Sequence, residues 1–216
     1  MNQKTIFIVV AAILLLAFFM ATMIYRNHQA TVQEGASHHN QAIAERRGAA
    51  TKGPADARVT IVEFLDPACE TCRDFLPYVT NLINQYPGKV RVMVRYAPLH
   101  PGSDQVVKML EAAHQQGKFW PALEILFNSQ KRWTVNHTSQ PMRALNILNS
   151  LDIDQERLAA DMNSPDVARI VQKDIQDGKT LNVRATPEFF VNGRPLPSFG
   201  IAQLNQLVKE AVEENY

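Results

Sequence analysis

The 216 residues contain two cysteines, Cys69 and Cys72, placed where a strand pattern hands over to a helix pattern. A pair three positions apart cannot cross-link distant segments, so the chain is not a disulfide-built scaffold. Nor can two thiolates fill a four-thiolate zinc site. The core must come from ordinary apolar burial, and the length suits one domain plus an appendage. Before the pair, Val59 to Leu65 is β-branched and aromatic with both alternating faces largely apolar, as in a central strand covered on both sides. After it, Phe75, Leu76, Val79, Leu82, Ile83 and Tyr86 recur at helical spacing until Pro87-Gly88 stops the pattern. A second strand, Val90 to Tyr96, completes a βαβ unit with a parallel strand pair.

Residues from Ser103 to about Asp177 are then mostly helical in pattern, broken near Gly117-Lys118, from Trp133 to Gln140, near Asp152 and at Ser164-Pro165. This block is too long for a crossover and reads as a helical insertion, about 103–177, with Phe119, Trp120, Phe127 and Trp133 in its core. Glu188 to Val191 is a strand, Asn192-Gly193 a two-residue hairpin turn, and Arg194 to Pro197 a short edge strand. Ile201, Leu204, Leu207, Val208 and Ala211 mark a closing amphipathic helix. The expected fold class is α/β: a mixed four-stranded sheet with helices on both faces, within a domain spanning 58–216.

Thr5 to Tyr25 is a run of 21 residues without a charge, enough for a helix across the hydrocarbon core of a bilayer. It lacks a small-x-small cleavage site and reads as an uncleaved signal anchor, residues 1–26. Lys4 before the span and Arg26 after it leave a slight bias toward an outward-facing C-terminal bulk. Residues 27–57, rich in Ala, Gln, His and Gly, read as a linker, briefly helical around Asn40 to Arg47. From Asp56 onward there are 17 Lys+Arg and 19 Asp+Glu, with no basic stripe, so nucleic acid is not an expected partner.

The chemistry concentrates in Cys69-Glu70-Thr71-Cys72. A thiol in the first helical turn meets unpaired backbone N–H groups and the positive end of the helix dipole, both of which favour thiolate. The i, i+3 spacing puts both sulfurs on one face. Cys69 is then the exposed nucleophile and Cys72 the resolving thiol. Taken by itself the pair also suits half a zinc site or a two-coordinate copper(I) site. Glu63 shares its strand face with Val59, Ile61 and Leu65, where desolvation raises a carboxyl pKa and fits it to accept the Cys72 proton. His100, His114 and His137 lack regular ligand spacing, so no metal site is expected.

Glu63, the Cys69–Cys72 pair opening a helix, Pro77 within that helix and Thr186-Pro187 before the strand Phe189 to Val191 jointly resemble the thioredoxin superfamily, and within it the DsbA-like thiol–disulfide oxidoreductases. The likeness runs from about Arg58 to the C-terminus and includes the helical insertion. It implies a thioredoxin fold, a redox-active Cys69–Cys72 disulfide with no other cofactor, and Glu63 as a buried acid beneath it. It also implies a cis-proline loop at Thr186 and Pro187 that pairs with substrate. Expected partners are protein thiols and disulfides and a membrane redox protein of the DsbB or DsbD kind. The expected location is the bacterial inner membrane, single-pass through residues 5–25, with the catalytic domain in the periplasm. Strongly oxidising members carry a histidine directly before the second cysteine; here that position is Thr71, and Glu70 sets an acid beside the nucleophile. Both changes disfavour the Cys69 thiolate and point to a milder oxidant than DsbA. Reductase or isomerase direction and a copper(I)-handling role are the alternatives. His100, in the loop after the second strand, is a candidate for tuning the thiolate.

Overall fold

Alternating apolar residues and helical spacing build the elements that the computed structural model contains; it describes residues 2–216, with the side chains of 4–12 and 30 outside the described set. In chain order the first elements are α1 (Gln3–Ala44), β1 (Thr51–Lys52), β2 (Val59–Leu65), α2 (Glu70–Gln85) and β3 (Val90–Tyr96). The insertion follows as α3 (Ser103–Gln115), α4 (Phe119–Asn128), α5 (Gln130–Trp133), the hairpin β4 (Thr134–Val135) and β5 (Thr138–Ser139), α6 (Pro141–Leu148), α7 (Gln155–Asp161) and α8 (Pro165–Thr180). The chain closes with β6 (Glu188–Val191), β7 (Arg194–Pro195) and α9 (Ile201–Asn215).

Every residue of β2 is buried, as its double-sided apolar pattern requires. It pairs in parallel with β3, Val59 to Leu65 against Val90 to Tyr96, and antiparallel with β6, where Glu63 stands opposite Phe189. Five strands form the sheet, in the order β1-β3-β2-β6-β7, rather than the four expected. The added strand is β1, two polar residues that pair antiparallel with Val92 and Met93 and carry no strand pattern of their own. One face of the sheet packs Val59, Ile61, Val90, Val92 and Phe189 against α2 and α9. The other packs Val62, Phe64, Met93 and Phe190 against Ala44, Ala49 and Val183. The insertion caps the end of the sheet where β2 hands over to α2, with Trp133 fully buried and its Nε1 donating to the Leu126 carbonyl at 2.8 Å. Phe119 and Phe127 are buried there too, while Trp120 is half-buried and donates to the Thr51 carbonyl at 3.2 Å.

The stretch 27–57, expected as a linker, is helical as far as Ala44, and from there to Lys52 it packs on the sheet. Helix α1 continues to Ala44, because Ala, Gln and Glu are good helix formers and Pro54 is the first proline of the segment. Its end is docked: Ala44 is fully buried, Arg46 N–H reaches Met93 Sδ at 3.4 Å, and Arg46 pairs with Asp174 at 2.7 Å. The expected span Thr5–Tyr25 lies within α1, and the side chains of its residues 5–12 are outside the described set. Among the described residues, no helix is long and apolar enough to cross a membrane.

The Asn192-Gly193 turn has positive φ at both residues, 46° and 77°. The Asn192 side chain also stitches the hairpin to β2, accepting from Thr60 N–H at 2.8 Å and donating to the Arg58 carbonyl at 3.0 Å. Helix α1 lies directly on this turn, so that a Cβ added to Gly193 would fall on the Ser37 carbonyl and 2.6 Å from the Gln41 amide nitrogen. Gly193→Ala is therefore expected to cost about 1–3 kcal/mol, from backbone strain and loss of this contact. Limited proteolysis near Gln41 should quicken in that variant if the helix depends on this seat.

Candidate active site

Helix α2 begins at the cysteine pair because β2 ends at Asp66-Pro67 and Cys69 takes extended backbone angles at the N-cap, φ −76° and ψ 121°. The buried Asp66 carboxylate holds this corner. Its Oδ1 accepts from Ala68 N–H at 2.8 Å; its Oδ2 accepts from the N–H groups of Leu99 at 2.7 Å and His100 at 2.8 Å, and from Ser103 Oγ at 3.0 Å. Gln130, buried in the insertion, donates to the carbonyls of Pro67 and Cys69, both at 3.0 Å. Neither Asp66 nor Gln130 is marked as a site residue by a sequence pattern of its own. Proximity of Asp66-Pro67 to the cysteines is the signal that was present for the first, and none existed for the second.

Both cysteines are free thiols and both are buried, Cys72 completely and Cys69 with 6% exposure. Their environments pull them apart. The Cys72 thiol hydrogen-bonds the Cys69 sulfur and is the largest influence lowering the Cys69 pKa from 9.0 to about 6. Burial opposes this, and hydrogen bonds from the Thr186 side chain and the Cys72 and Thr71 N–H groups reinforce it. Cys72 is driven well above its ordinary value, first by burial, then by the bond to Cys69 and the charges of Glu63 and Cys69. When protonated, Cys69 donates to the Thr186 carbonyl at 3.1 Å. The Thr186–Pro187 peptide is cis, and the hydrogen bond to Thr186 puts this loop in direct contact with Cys69.

Glu63 is 1% exposed, and neither carboxyl oxygen has a hydrogen-bond partner among the described residues. Burial, and then the charge of Cys69, raise its pKa from 4.5 to about 8. Pro77 lies inside α2. Glu70 and Thr71 sit in the first turn of α2, but the Glu70 carboxylate faces His137 at 3.5 Å. The Thr71 contribution is its backbone N–H, which favours the Cys69 thiolate. The disfavoured thiolate expected from these two side chains is thus outweighed by the helix terminus and the neighbouring thiol. His100 points its Nδ1 at Asp66 Oδ2, 2.8 Å away, and its ring stacks against His137 at 6.1 Å between centroids. Glu70, His100 and His137 converge although they are far apart along the chain and follow no ligand spacing.

A βαβ-to-ββα sheet with two thiols at the N-terminus of α2, facing a cis-proline loop, defines a thioredoxin-like fold. The family model described as Thioredoxin matches residues 45–210, and the chain belongs to that family. Its start at residue 45 agrees with the docking of the segment after α1. A solved structure of a thioredoxin-like oxidoreductase from Silicibacter pomeroyi DSS-3 superposes with a TM-score of 0.69 at 28% identity, covering 80% of this chain and 97% of that one. The "Probable disulfide bond formation protein D" of Bacillus cereus is 28% identical over 148 residues, 65% of this chain and 68% of that protein. The Na(+)/H(+) antiporter NhaA of Herminiimonas arsenicoxydans is 34% identical over 145 residues, 67% of this chain but 22% of the antiporter. The chain thus spans about a fifth of the length of the first curated relatives it matches.

Proposed function

We propose that the protein is a thiol–disulfide oxidoreductase that exchanges disulfides with extracytoplasmic proteins through Cys69 and Cys72. The observation that carries this reading is two free thiols in one helical turn, Cys69 hydrogen-bonded to the Thr186 carbonyl and Cys72 wholly buried, surroundings that lower the first pKa to about 6 and raise the second. A low-pKa sulfur attacks or leaves readily, and a high-pKa partner stays protonated until it is needed.

In the oxidising direction a substrate thiolate attacks Cys69 Sγ of the disulfide, forming a mixed disulfide and releasing Cys72 as thiolate. Glu63, protonated below about pH 8, supplies the proton that Cys72 takes up. A second substrate thiolate then attacks the substrate sulfur, and Cys69 leaves as a stable thiolate. Substrate loses two electrons and the Cys69–Cys72 pair gains them. Run backwards, the same steps reduce a substrate disulfide, with Glu63 accepting the Cys72 proton. As an oxidant the pair is mild: a nucleophile near 6 lies closer to thioredoxin (about 7) than to DsbA (about 3.5). A membrane protein of the DsbB or DsbD kind would restore the pair. The exposed Leu99 and Phe199, the latter resting on Phe75 at 4.9 Å, offer apolar surface to an unfolded chain.

The reading includes anchorage at the bacterial inner membrane, with the domain in the periplasm. Its support is the uncharged run Thr5–Tyr25 and the exposure of its described apolar residues, Leu14, Leu15, Phe18 and Ile24 among them. A water-facing helix does not carry such a surface without an apolar partner.

In reduced protein, the rate of Cys69 alkylation by iodoacetamide should rise with pH about a midpoint near 6, while Cys72 stays unlabelled below pH 9. Cys69→Ser should abolish both labelling and dithiol oxidation. A midpoint at the ordinary 9.0 would remove the basis of the proposal.

A further inference from the structure

Three side chains that no step of this chemistry employs meet beside the nucleophile. Glu70 comes from the first turn of α2, His100 from the loop after β3, and His137 from the turn between β4 and β5. One donor atom of each lies within 4.8 Å of the other two. Two of them, Glu70 Oε2 and His137 Nδ1, are 3.5 Å apart.

Each is aimed by its surroundings. The Asp66 carboxylate can only accept from His100, so Nδ1 carries the proton and Nε2 presents its lone pair. This carboxylate–histidine arrangement is the one that orients metal-ligating imidazoles. Asp66 is itself fixed by backbone N–H groups and Ser103, so the ring direction is set by buried structure. His137 sits at φ 58° beside Asn136 at 48°, a left-handed turn that closes the β4–β5 hairpin. That hairpin is seated on the loop that carries His100: Ser139 N–H donates to the Pro101 carbonyl at 2.9 Å, and a Cβ on Gly102 would meet the Ser139 carbonyl at 3.1 Å. The two histidines are therefore held on one platform. A bare Glu70–His137 ion pair accounts for neither the orientation of His100 nor its place in the group, and at 45% and 72% side-chain exposure it would contribute little.

Two imidazoles and one carboxylate are the donor set of three-ligand zinc sites that keep a fourth position open. Ligands about 2.1 Å from a tetrahedral ion stand about 3.4 Å from one another. Rotation of the exposed His137 and Glu70 side chains closes the remaining distance.

We propose that Glu70, His100 and His137 bind a divalent ion of the zinc class at the rim of the Cys69–Cys72 centre, and that the bound ion shields Cys69 from protein substrates. The shielding rests on the oxidoreductase reading; the binding does not. Glu70 directly follows Cys69, the N-cap of α2, so an ion held by its carboxylate lies beside the nucleophile.

The test starts with the full chain in detergent carrying Cys69→Ser and Cys72→Ser, which removes thiolate ligands. Titration with Zn²⁺ against a chromophoric chelator should show one equivalent bound. Adding His137→Asn, which keeps the left-handed backbone, should weaken binding by at least about tenfold. Absence of stoichiometric binding, or equal affinity with His137→Asn, overturns the site. With both cysteines present, Zn²⁺ should slow dithiol oxidation relative to chelator, and His137→Asn should run like the parent in chelator yet resist the slowing. Equal slowing of both proteins would mean the thiols take the ion, and overturns the shielding. No exchange by the parent in chelator would overturn the oxidoreductase reading and the shielding with it, while the first titration judges the site on its own.

Discussion

Asp174→Ala is expected to lower the thermal midpoint by on the order of 10 °C, corresponding to about 3 kcal/mol for a domain of this size. Asp174 is fully buried in α8 and accepts from four donors: Arg95 Nε at 2.8 Å, Arg46 Nε at 2.7 Å, Arg46 Nη2 at 3.4 Å and Tyr96 N–H at 3.1 Å. Arg95 is also fully buried, and its guanidinium reaches Asp177 at 2.6 Å, the Ile43 carbonyl at 3.0 Å and the Ala44 carbonyl. One carboxylate thus joins the sheet, the insertion and the end of α1. Its removal leaves the Arg95 charge half compensated and the Tyr96 amide unpaired in a dry interior, which costs more than the pair itself contributes. Lys173, which pairs with Asp177 from a 61% exposed position, gives the control: Lys173→Ala should change stability by less than about 1 kcal/mol. Thermal unfolding of the two variants side by side checks the contrast. Equal, small effects would mean the buried network is not what holds α1 to the domain.

The same network shows why part of the molecule is legible in the sequence and part is not. Local patterns carried their elements: alternation marked Val59 to Leu65, helical spacing marked α2 and α9, and Asn192-Gly193 marked its turn. Glu63 was readable because a charged residue interrupts an otherwise apolar strand face, and Cys69 because it stands at a strand-to-helix junction. Polar contacts between distant segments leave no such trace. Arg46 meets Asp174 across 128 positions, and Gln130 meets Cys69 across 61. Neither residue type nor spacing singles them out. The docking of residues 44–52 depended on these contacts, so an Ala- and Gln-rich stretch looked like a linker and the fifth strand went unseen. Glu70, His100 and His137 escaped for a related reason. Metal spacing patterns pair ligands a few positions apart, whereas here α2, the loop after β3 and the β4–β5 turn each deliver one.

Glu63→Gln should flatten a pH dependence of stability and lengthen the life of the mixed disulfide. Glu63 has its folded pKa raised from 4.5 to about 8, so the folded state holds a proton that the unfolded state has lost between those values. Its stabilising share is complete below pH 4.5 and is lost as pH rises toward 8, by up to about 5 kcal/mol. Cys69 runs the other way in the reduced protein, since its folded pKa is depressed: its share is present above 9.0 and lost as pH falls through about 6. The parent profile mixes both slopes, and the difference between parent and Glu63→Gln isolates the carboxyl. That difference should grow in favour of the variant from pH 5 to pH 8, measured by denaturant unfolding of the reduced proteins. The kinetic effect follows from the same coupling. Cys69 charge helps hold Glu63 protonated, and that charge disappears once Cys69 is bound to substrate. The carboxyl then ionises more readily, at the stage when Cys72, with its raised pKa, requires a base to become nucleophilic. Glutamine keeps the shape and removes the proton carrier, so resolution of a Cys69 mixed disulfide at pH 7 should slow by about 100-fold. The alkylation midpoint of Cys69 should stay near that of the parent, because Glu63 is protonated and neutral over the range where Cys69 titrates. A variant that resolves at the parental rate, with an unchanged pH dependence of stability, would assign Glu63 to packing alone.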